Sequence, residues 1–151
     1  MRIEVDDLAR PEVRALLTEH LADMHATSPA ESVHALDLSG LSGPDVSVWT
    51  AWAVEALLGI VALKELSPDH GELKSMRTSA AARGRGVASS LLVHVVDDAR
   101  RRGYGRVSLE TGTQDYFAAA RRLYMRHGFV ECPPFADYVP DPSSTFFSLS
   151  L

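Results

Sequence analysis

A short glycine-containing segment, Arg83 to Ala88, constrains the fold of this chain more than any other feature, because it separates an extended segment from a long amphipathic helix. Apolar residues recur at helical spacing from about Val87 to Arg102, and Gly103 is placed to end that helix. The next segment, Arg106 to Thr111, has the pattern of a strand. A strand–helix–strand unit needs a crossover connection, so the strands before and after this helix are predicted to be parallel neighbours in one sheet.

The rest of the chain supplies more strands and two more helices. Alternating or continuous apolar runs bounded by turn residues predict strands at about residues 3–5, 46–54, 57–66, 72–78, 129–132 and 145–151. Helical spacing predicts helices at about residues 8–24, with Asp7 placed as a cap, and at 116–127. The three central strands have short links, which favours an antiparallel meander. The predicted fold is therefore mixed α/β: a single mixed, mostly antiparallel central sheet of about six to seven strands with helices on both faces, in one domain spanning residues 1–151.

Charge and composition limit the kinds of partner. The formal net charge of −5 over 151 residues argues against nucleic acid or an anionic membrane as a ligand. Ten arginines nonetheless lie between residues 77 and 126, which favours a small anionic ligand. The sequence has neither the apolar core of a signal peptide nor a run of about 20 apolar residues, and its single cysteine, Cys132, excludes an internal disulfide. We therefore expect a cytoplasmic protein.

The glycine-containing segment has the properties of an anion site. Glycine lets the backbone approach a ligand closely, and the helix that follows presents the positive end of its dipole. Successive N–H groups from Arg85 to Ser89 can form an anion-binding nest for a phosphate or pyrophosphate. The segment is not a dinucleotide fingerprint, because Ser89 stands where the third glycine would be. The alternative is a turn that merely links a strand to a helix.

Two motifs resemble those of one family. Arg83-x-x-Gly86-x-Ala88 fits the pattern Gln/Arg-x-x-Gly-x-Gly/Ala of the GNAT N-acetyltransferase superfamily, and Ala120-x-x-Leu123-Tyr124-x-x-x-Gly128-Phe129 resembles its second signature. The resemblance implies a GNAT-like acyl-CoA N-acyltransferase fold with acetyl-CoA as co-substrate. It also implies an enzyme, an N-acetyltransferase that transfers the acetyl group to a primary amine of a small molecule or amino-acid-like acceptor, by direct attack of the amine on the thioester.

The resemblance also implies which residues hold the cofactor. The phosphate loop would bind the pyrophosphate, and the strand before it would pair with the amides of the pantetheine arm. Together these residues are Met76, Arg77, Thr78, Arg83, Gly84, Arg85, Gly86, Val87, Ala88 and Ser89. One departure concerns an Asn that often contacts the arm in the family, because Phe117 occupies that position here and Gln114 or Asp115 is the nearest substitute.

Three side chains are candidates for the chemistry. Glu72 occupies the position of a glutamate base in some family members, and Glu110 on the next strand is its rival. Tyr124 matches the tyrosine that acts as general acid towards the thiolate in many relatives, with a buried core tyrosine as the alternative interpretation. The N–H of Met76 is the expected donor to the thioester carbonyl. Strand alternation predicts that Glu72, Lys74 and Met76 share one face.

The acceptor side is less defined by sequence. We expect it to be framed by Ala26–Pro44 and Pro133–Tyr138. The residues proposed to hold an ammonium group are Asp137, Glu110 and Glu31, and those proposed as an apolar wall are Tyr138, Trp49 and Trp52.

Two further expectations concern partners and an alternative function. The histidines do not have metal-ligand spacing, so no metal is predicted. A homodimer is possible, since many relatives dimerise. The alternative to an enzyme is a non-catalytic acyl-CoA-binding module that senses or recruits.

Overall fold

Seven strands form one sheet in the computed structural model, which describes residues 1–151. The strands are β1 (Arg2–Val5), β2 (Val46–Ala53), β3 (Ala56–Ser67), β4 (His70–Thr78), β5 (Arg106–Gly112), β6 (Val130–Cys132) and β7 (Ser144–Ser150). Their order is β1-β2-β3-β4-β5-β7-β6, and only β4 and β5 are parallel. The predicted mixed, mostly antiparallel sheet is thereby confirmed.

Four α-helices cover the sheet: α1 (Pro11–Thr27), α2 (Leu38–Leu41), α3 (Val87–Arg101) and α4 (Ala118–Arg126). Short 3₁₀ turns precede α2, α3 and α4, at Ala30–Ser32, Ala80–Ala82 and Asp115–Phe117. Asp7 does not cap α1. Leu8 has a left-handed backbone (φ 64°), and Pro11 then starts the helix with Arg10 at the N-cap. The helix therefore begins later than the apolar spacing predicts.

The two faces of the sheet bury separate apolar clusters. The larger one packs α3 and α4 on the sheet through residues that include Leu92, Leu109 and Phe147. The smaller one packs α1 and α2 on the opposite face, around Ile60. Helices on both faces are confirmed, and the buried residues hold β4 and β5 in the middle of the sheet.

The parallel pair β4–β5 is short. Only three residue pairs join the strands, His70–Arg106, Gly71–Val107 and Glu72–Ser108, and beyond them the strands diverge. The backbone of β4 from residue 73 onward has no partner on the β5 side. A cleft of about 590 Å³ opens between the diverging strands, with the start of α3 and one side of α4 in its walls.

A β-bulge interrupts β4 at Ser75. Ala62 of β3 pairs with Lys74 and Ile60 pairs with Arg77, so β4 carries one extra residue opposite Val61. Ser75 has a left-handed φ of 54°. The predicted common face for Glu72, Lys74 and Met76 is therefore wrong: Glu72 and Lys74 form an ion pair, whereas Met76 packs against the larger apolar cluster on the other face.

None of the helices combines the length and the apolar character that crossing a membrane would require.

Candidate active site

The cleft has an anion-binding end built from the start of α3. Gly84 and Gly86 have left-handed φ values of 75° and 78°, which glycine adopts at little cost. The first amide of α3 that donates back along the helix is that of Ser90, 3.1 Å from the Gly86 carbonyl oxygen. The N–H groups from Gly84 to Ser89 are consequently left for a ligand, at the positive end of the helix dipole. This geometry is suited to a phosphate group.

Most residues predicted to hold the cofactor line this cleft. They are Met76, Arg77, Thr78, Arg83, Gly84, Gly86, Val87, Ala88 and Ser89. Arg85 is the exception, because its side chain is exposed and lies outside the cleft wall. Ser89 is further held by His127, whose Nε2 lies 3.1 Å from the serine Oγ. The loop therefore presents its backbone, with Arg83 as the nearby guanidinium.

The guanidinium of Arg77 is bound within the protein. It donates hydrogen bonds to Glu19 at 2.8 Å and to Asp23 at 2.5 Å, both on α1, and to the hydroxyl of Tyr116 at 3.0 Å. The side chain is only 6% exposed. Arg77 therefore fastens α1 and the segment before α4 to β4, and only its backbone is available at the strand edge.

Phe117 forms part of the cleft wall where the family often has Asn. It packs directly on Gly112, and a Cβ at residue 112 would collide with the ring. Neither Gln114 nor Asp115, the substitutes considered from sequence, reaches the cleft. The wall is apolar at this point, so an amide contact of the usual kind is not made by this side chain.

Glu72 lies at the point where β4 and β5 separate. Its carboxylate is almost fully buried, and one oxygen, Oε2, accepts hydrogen bonds from Lys74 Nζ at 3.1 Å and from the Tyr138 hydroxyl at 2.5 Å. Burial and the adjacent Glu72 charge raise the pKa of Tyr138 above its usual range, so its hydroxyl stays protonated. Tyr138 was predicted as an apolar wall, and the structure gives it a hydrogen bond to a candidate base as well.

Glu110 lies two residues beyond the last β4–β5 pair and lines the same cleft. Burial raises its pKa from 4.5 to about 7, and the positive charge of Lys74 acts in the opposite direction. A carboxyl with this pKa exchanges a proton near neutral pH, which is the property of a general acid or base.

Tyr124 lies on α4 with its ring packed against Phe129 and Phe147, at centroid distances of 5.9 and 6.5 Å. The residue is buried yet lines the cleft, and its hydroxyl makes no hydrogen bond within the protein. Burial raises its pKa above the usual value, and the charge of Glu110 acts in the same direction. The hydroxyl is therefore protonated and available as a donor.

The two segments predicted to frame the acceptor side are in contact, because the His34 ring packs edge-on against Tyr138 at 5.0 Å. Ser32 also donates a hydrogen bond at 2.5 Å to Asp141, which lies beyond the second segment. Glu31 and Asp137 are exposed and lie off the cleft. The prediction that Trp49 and Trp52 form an apolar wall beside the acceptor is wrong. Both residues lie on β2, where Trp49 is buried in the larger apolar cluster and Trp52 in the smaller one.

Two polar residues of the cleft wall were missed from sequence. His20 on α1 and Ser75 on β4 are both buried, and each has a polar side-chain atom without a hydrogen-bond partner. Burial, together with the charge of Arg77, lowers the pKa of His20 to about 4, so the ring is neutral. No local pattern marks these residues. The packing of α1 on β4 brings His20 to the cleft, and Ser75 lies there in the bulge of β4.

The cleft does not contain a metal-binding cluster, since no group of three or more His, Cys, Asp or Glu side chains is arranged to hold an ion. The absence of a metal from the reaction stays a prediction.

Comparisons with known proteins agree with this architecture. A family model described as "Acetyltransferase (GNAT) family" matches residues 11–129. The chain is 50% identical to the uncharacterized N-acetyltransferase YsnE of Bacillus subtilis, over 151 residues and the whole of both chains. It is 36% identical to the IAA acetyltransferase of Azospirillum brasilense, over 89% of this chain and 86% of that protein. A crystal structure described as a putative acyl-CoA N-acyltransferase from Klebsiella pneumoniae superposes with a TM-score of 0.83 at 28% identity, covering 99% of this chain and 97% of that one.

The fold and the cleft are those of an enzyme that transfers an acyl group from a coenzyme A thioester. The chain belongs to the acetyltransferase (GNAT) family. The prediction of an acetyl-CoA-dependent N-acetyltransferase is confirmed at the level of the family, and members of this kind act on small-molecule acceptors.

Proposed function

We propose that this chain, as a single catalytic domain over residues 1–151, transfers the acetyl group of acetyl-CoA to a primary amine of a small molecule. One observation carries the proposal: the cleft between β4 and β5 contains Glu110, a carboxyl whose pKa burial raises to about 7. An alkylammonium has a pKa of ~10.4, so the acceptor arrives protonated and must lose a proton before it attacks. A carboxyl that titrates near neutral pH is suited to take that proton.

The donor is proposed to lie along β4. Its pyrophosphate would accept hydrogen bonds from the free N–H groups between Gly84 and Ser89, with Arg83 contributing charge. The amides of its pantetheine arm would pair with the free edge of β4 at Met76 and Thr78, as an added strand would. The thioester then lies near the bulge, between Tyr124 on one side and the carboxylates on the other.

The reaction we propose is direct transfer. The lone pair of the amine nitrogen attacks the thioester carbon, the N–C bond forms, and the carbonyl electrons move to oxygen, which the N–H of Met76 stabilises. When the carbonyl re-forms, the C–S bond breaks and the thiolate takes a proton from the Tyr124 hydroxyl. Glu110 takes the proton that the ammonium group loses before attack and releases it to solvent. The nitrogen loses a second proton after attack, and this proton restores the Tyr124 hydroxyl.

Glu72 is the alternative base. Its Oε2 already accepts hydrogen bonds from Lys74 and Tyr138, so this carboxylate is held in place by two donors. We assign it the role of fixing the acceptor side and attracting the ammonium group, and we assign proton transfer to Glu110, whose pKa is closer to neutral.

A panel of amines and amino acids, assayed by release of free thiol from acetyl-CoA, tests the proposal. Pairs that differ only by a carboxylate, such as tyramine and tyrosine, separate simple amines from amino-acid-like acceptors. We expect turnover with at least one acceptor. We also expect Tyr124→Phe and Glu110→Gln to lower kcat by about 10²–10⁴-fold, while CoA still binds.

The matched control is Glu55→Gln, in the exposed turn between β2 and β3, which removes a carboxylate far from the cleft and keeps full activity. A protein that binds CoA yet releases no thiol with any acceptor is a sensor or recruitment module instead. Loss of activity in Glu72→Gln with full activity in Glu110→Gln would assign the base to Glu72.

The proposal includes a cytoplasmic location, with which the single cysteine is compatible. It also includes a homodimer, as in many relatives. Sedimentation equilibrium at micromolar concentration tests the dimer, and a monomer mass would remove it from the proposal.

A further inference from the structure

Ser75 adopts a backbone conformation that serine rarely adopts. Its φ of 54° lies in the left-handed region, inside the bulge that shifts the register between β3 and β4. Non-glycine residues in this region are strained, and such strain is concentrated at ligand-binding and catalytic sites. Glycine would fit the same backbone without strain. The presence of serine instead of glycine therefore indicates that the hydroxyl group has a function.

The hydroxyl of Ser75 lacks a partner in the protein. The residue is 8% exposed and belongs to the cleft wall, and its Oγ is buried without a hydrogen bond. Buried hydroxyl groups almost always have a partner, because burial without one is costly. A ligand in the cleft would supply that partner.

The position of Ser75 in the chain defines which part of the ligand it meets. It immediately precedes Met76, whose N–H is the donor proposed for the thioester carbonyl. A serine hydroxyl and the next backbone N–H are only a few bonds apart, so both can be directed at one oxygen atom. Two donors on one oxygen form an oxyanion hole.

We propose that the Ser75 hydroxyl donates a hydrogen bond to the thioester oxygen of the bound acyl donor, beside the N–H of Met76, and stabilises the negative charge that this oxygen acquires during attack. The inference rests on the proposed acetyl transfer and adds a catalytic side chain to it. It also explains why a strained serine, rather than glycine, occupies the bulge.

Two substitutions separate the hydroxyl from the backbone. Ser75→Ala removes the hydroxyl and keeps the strain, whereas Ser75→Gly removes both. We expect both to lower kcat by about 10- to 100-fold, with at most about a tenfold rise in the KM for acetyl-CoA. The matched control is Val54→Gly, which relieves the same strain (φ 57°) in an exposed turn and leaves kcat unchanged.

A second measurement does not depend on an acceptor. Calorimetric titration with CoA and with acetyl-CoA compares a ligand without the carbonyl with one that has it. We expect Ser75→Gly to weaken acetyl-CoA binding about 2- to 10-fold and to leave CoA binding unchanged. This readout distinguishes failure of the inference from failure of the proposed function, which would appear as a wild-type protein that binds both ligands and acetylates nothing.

A Ser75→Gly variant with wild-type kcat and wild-type preference for acetyl-CoA would overturn the inference. So would an equal loss of affinity for CoA and acetyl-CoA, because it would assign Ser75 to the wall of the cleft only.

Discussion

At the scale of single residues, Glu110 links activity to stability. Its pKa is raised in the folded state from 4.5 to about 7, so the folded protein binds this proton more tightly than the unfolded chain. The neutral Glu110 carboxyl contributes to the free energy of unfolding. This contribution is fully present below pH 4.5 and is lost as the pH rises through about 7. Ionisation at the pH where the carboxyl works therefore destabilises the fold.

Glu110→Gln is expected to raise the free energy of unfolding at pH 8 by about 1–3 kcal/mol and to have little effect at pH 5, because glutamine does not ionise. Urea denaturation at the two pH values measures the difference, with Glu55→Gln as the control that shifts neither value. A stabilisation that is the same at pH 5 and pH 8 would contradict a titrating Glu110. The rise of kcat/KM with pH near 7 is expected to disappear in the same variant.

Among single residues of the site, the sequence predicts the positions of the two carboxylates and fails to predict that of Met76. Strand alternation carries Glu72 and Glu110 towards the same cleft, since Glu72 pairs with Ser108 and Glu110 lies two residues further on. Met76 was misplaced because a bulge in β4 carries Ser rather than the glycine that usually marks one. The raised pKa of Glu110 could not be predicted either, because burial depends on surroundings brought together by distant parts of the chain.

At the scale of elements, α3 and the loop before it match their sequence prediction closely. The helix was expected over about 87–102 and spans Val87–Arg101. This helix has a glycine at each end and a strong apolar stripe. These signals lie within the helix and next to it, so they can be recognised in a single sequence. The helix expected over 116–127 is shorter, because Asp115–Phe117 forms a 3₁₀ turn that packs Phe117 on Gly112. That contact joins residues on two elements and has no local signature.

Gly86→Ala tests what the start of α3 contributes. Gly86 has a φ of 78°, and a Cβ at this position would meet open space, so alanine would be strained without a steric clash. We expect a loss of about 1 kcal/mol in the free energy of unfolding, together with weaker CoA binding as the loop shifts. Urea denaturation and calorimetric titration measure the two effects.

Gly103→Ala is the matched control for this substitution. Gly103 follows the other end of α3, has a φ of 85° and is equally open. It is expected to cost similar stability and to leave CoA affinity unchanged. Equal CoA affinity in both variants would mean that the backbone of residue 86 does not contribute to the anion site.

At the scale of the whole molecule, His20 connects the packing of α1 on the sheet to acid sensitivity. Burial, with the charge of Arg77, lowers its pKa from 6.5 to about 4. A histidine with a depressed pKa contributes stability that is present above pH 6.5 and is lost as the pH falls through about 4. Protonation there would place a positive charge next to the buried guanidinium of Arg77.

The free energy of unfolding is expected to decrease between pH 6.5 and pH 4, and His20→Gln is expected to make this decrease smaller by up to about 3 kcal/mol. Thermal or urea unfolding across this range measures the slope. His25→Gln, on the exposed side of the same helix, is the control and should leave the slope unchanged. An unchanged slope in His20→Gln would show that acid unfolding starts elsewhere.

The three residue pairs between β4 and β5 have a mechanical consequence. They are the only ladder that joins the half of the sheet containing β1 to β4 with the half containing β5, β7 and β6. A molecule lying in the cleft would contact both halves of the sheet. Bound coenzyme is therefore expected to strengthen the join between the two halves, in addition to the apolar cluster that packs across them.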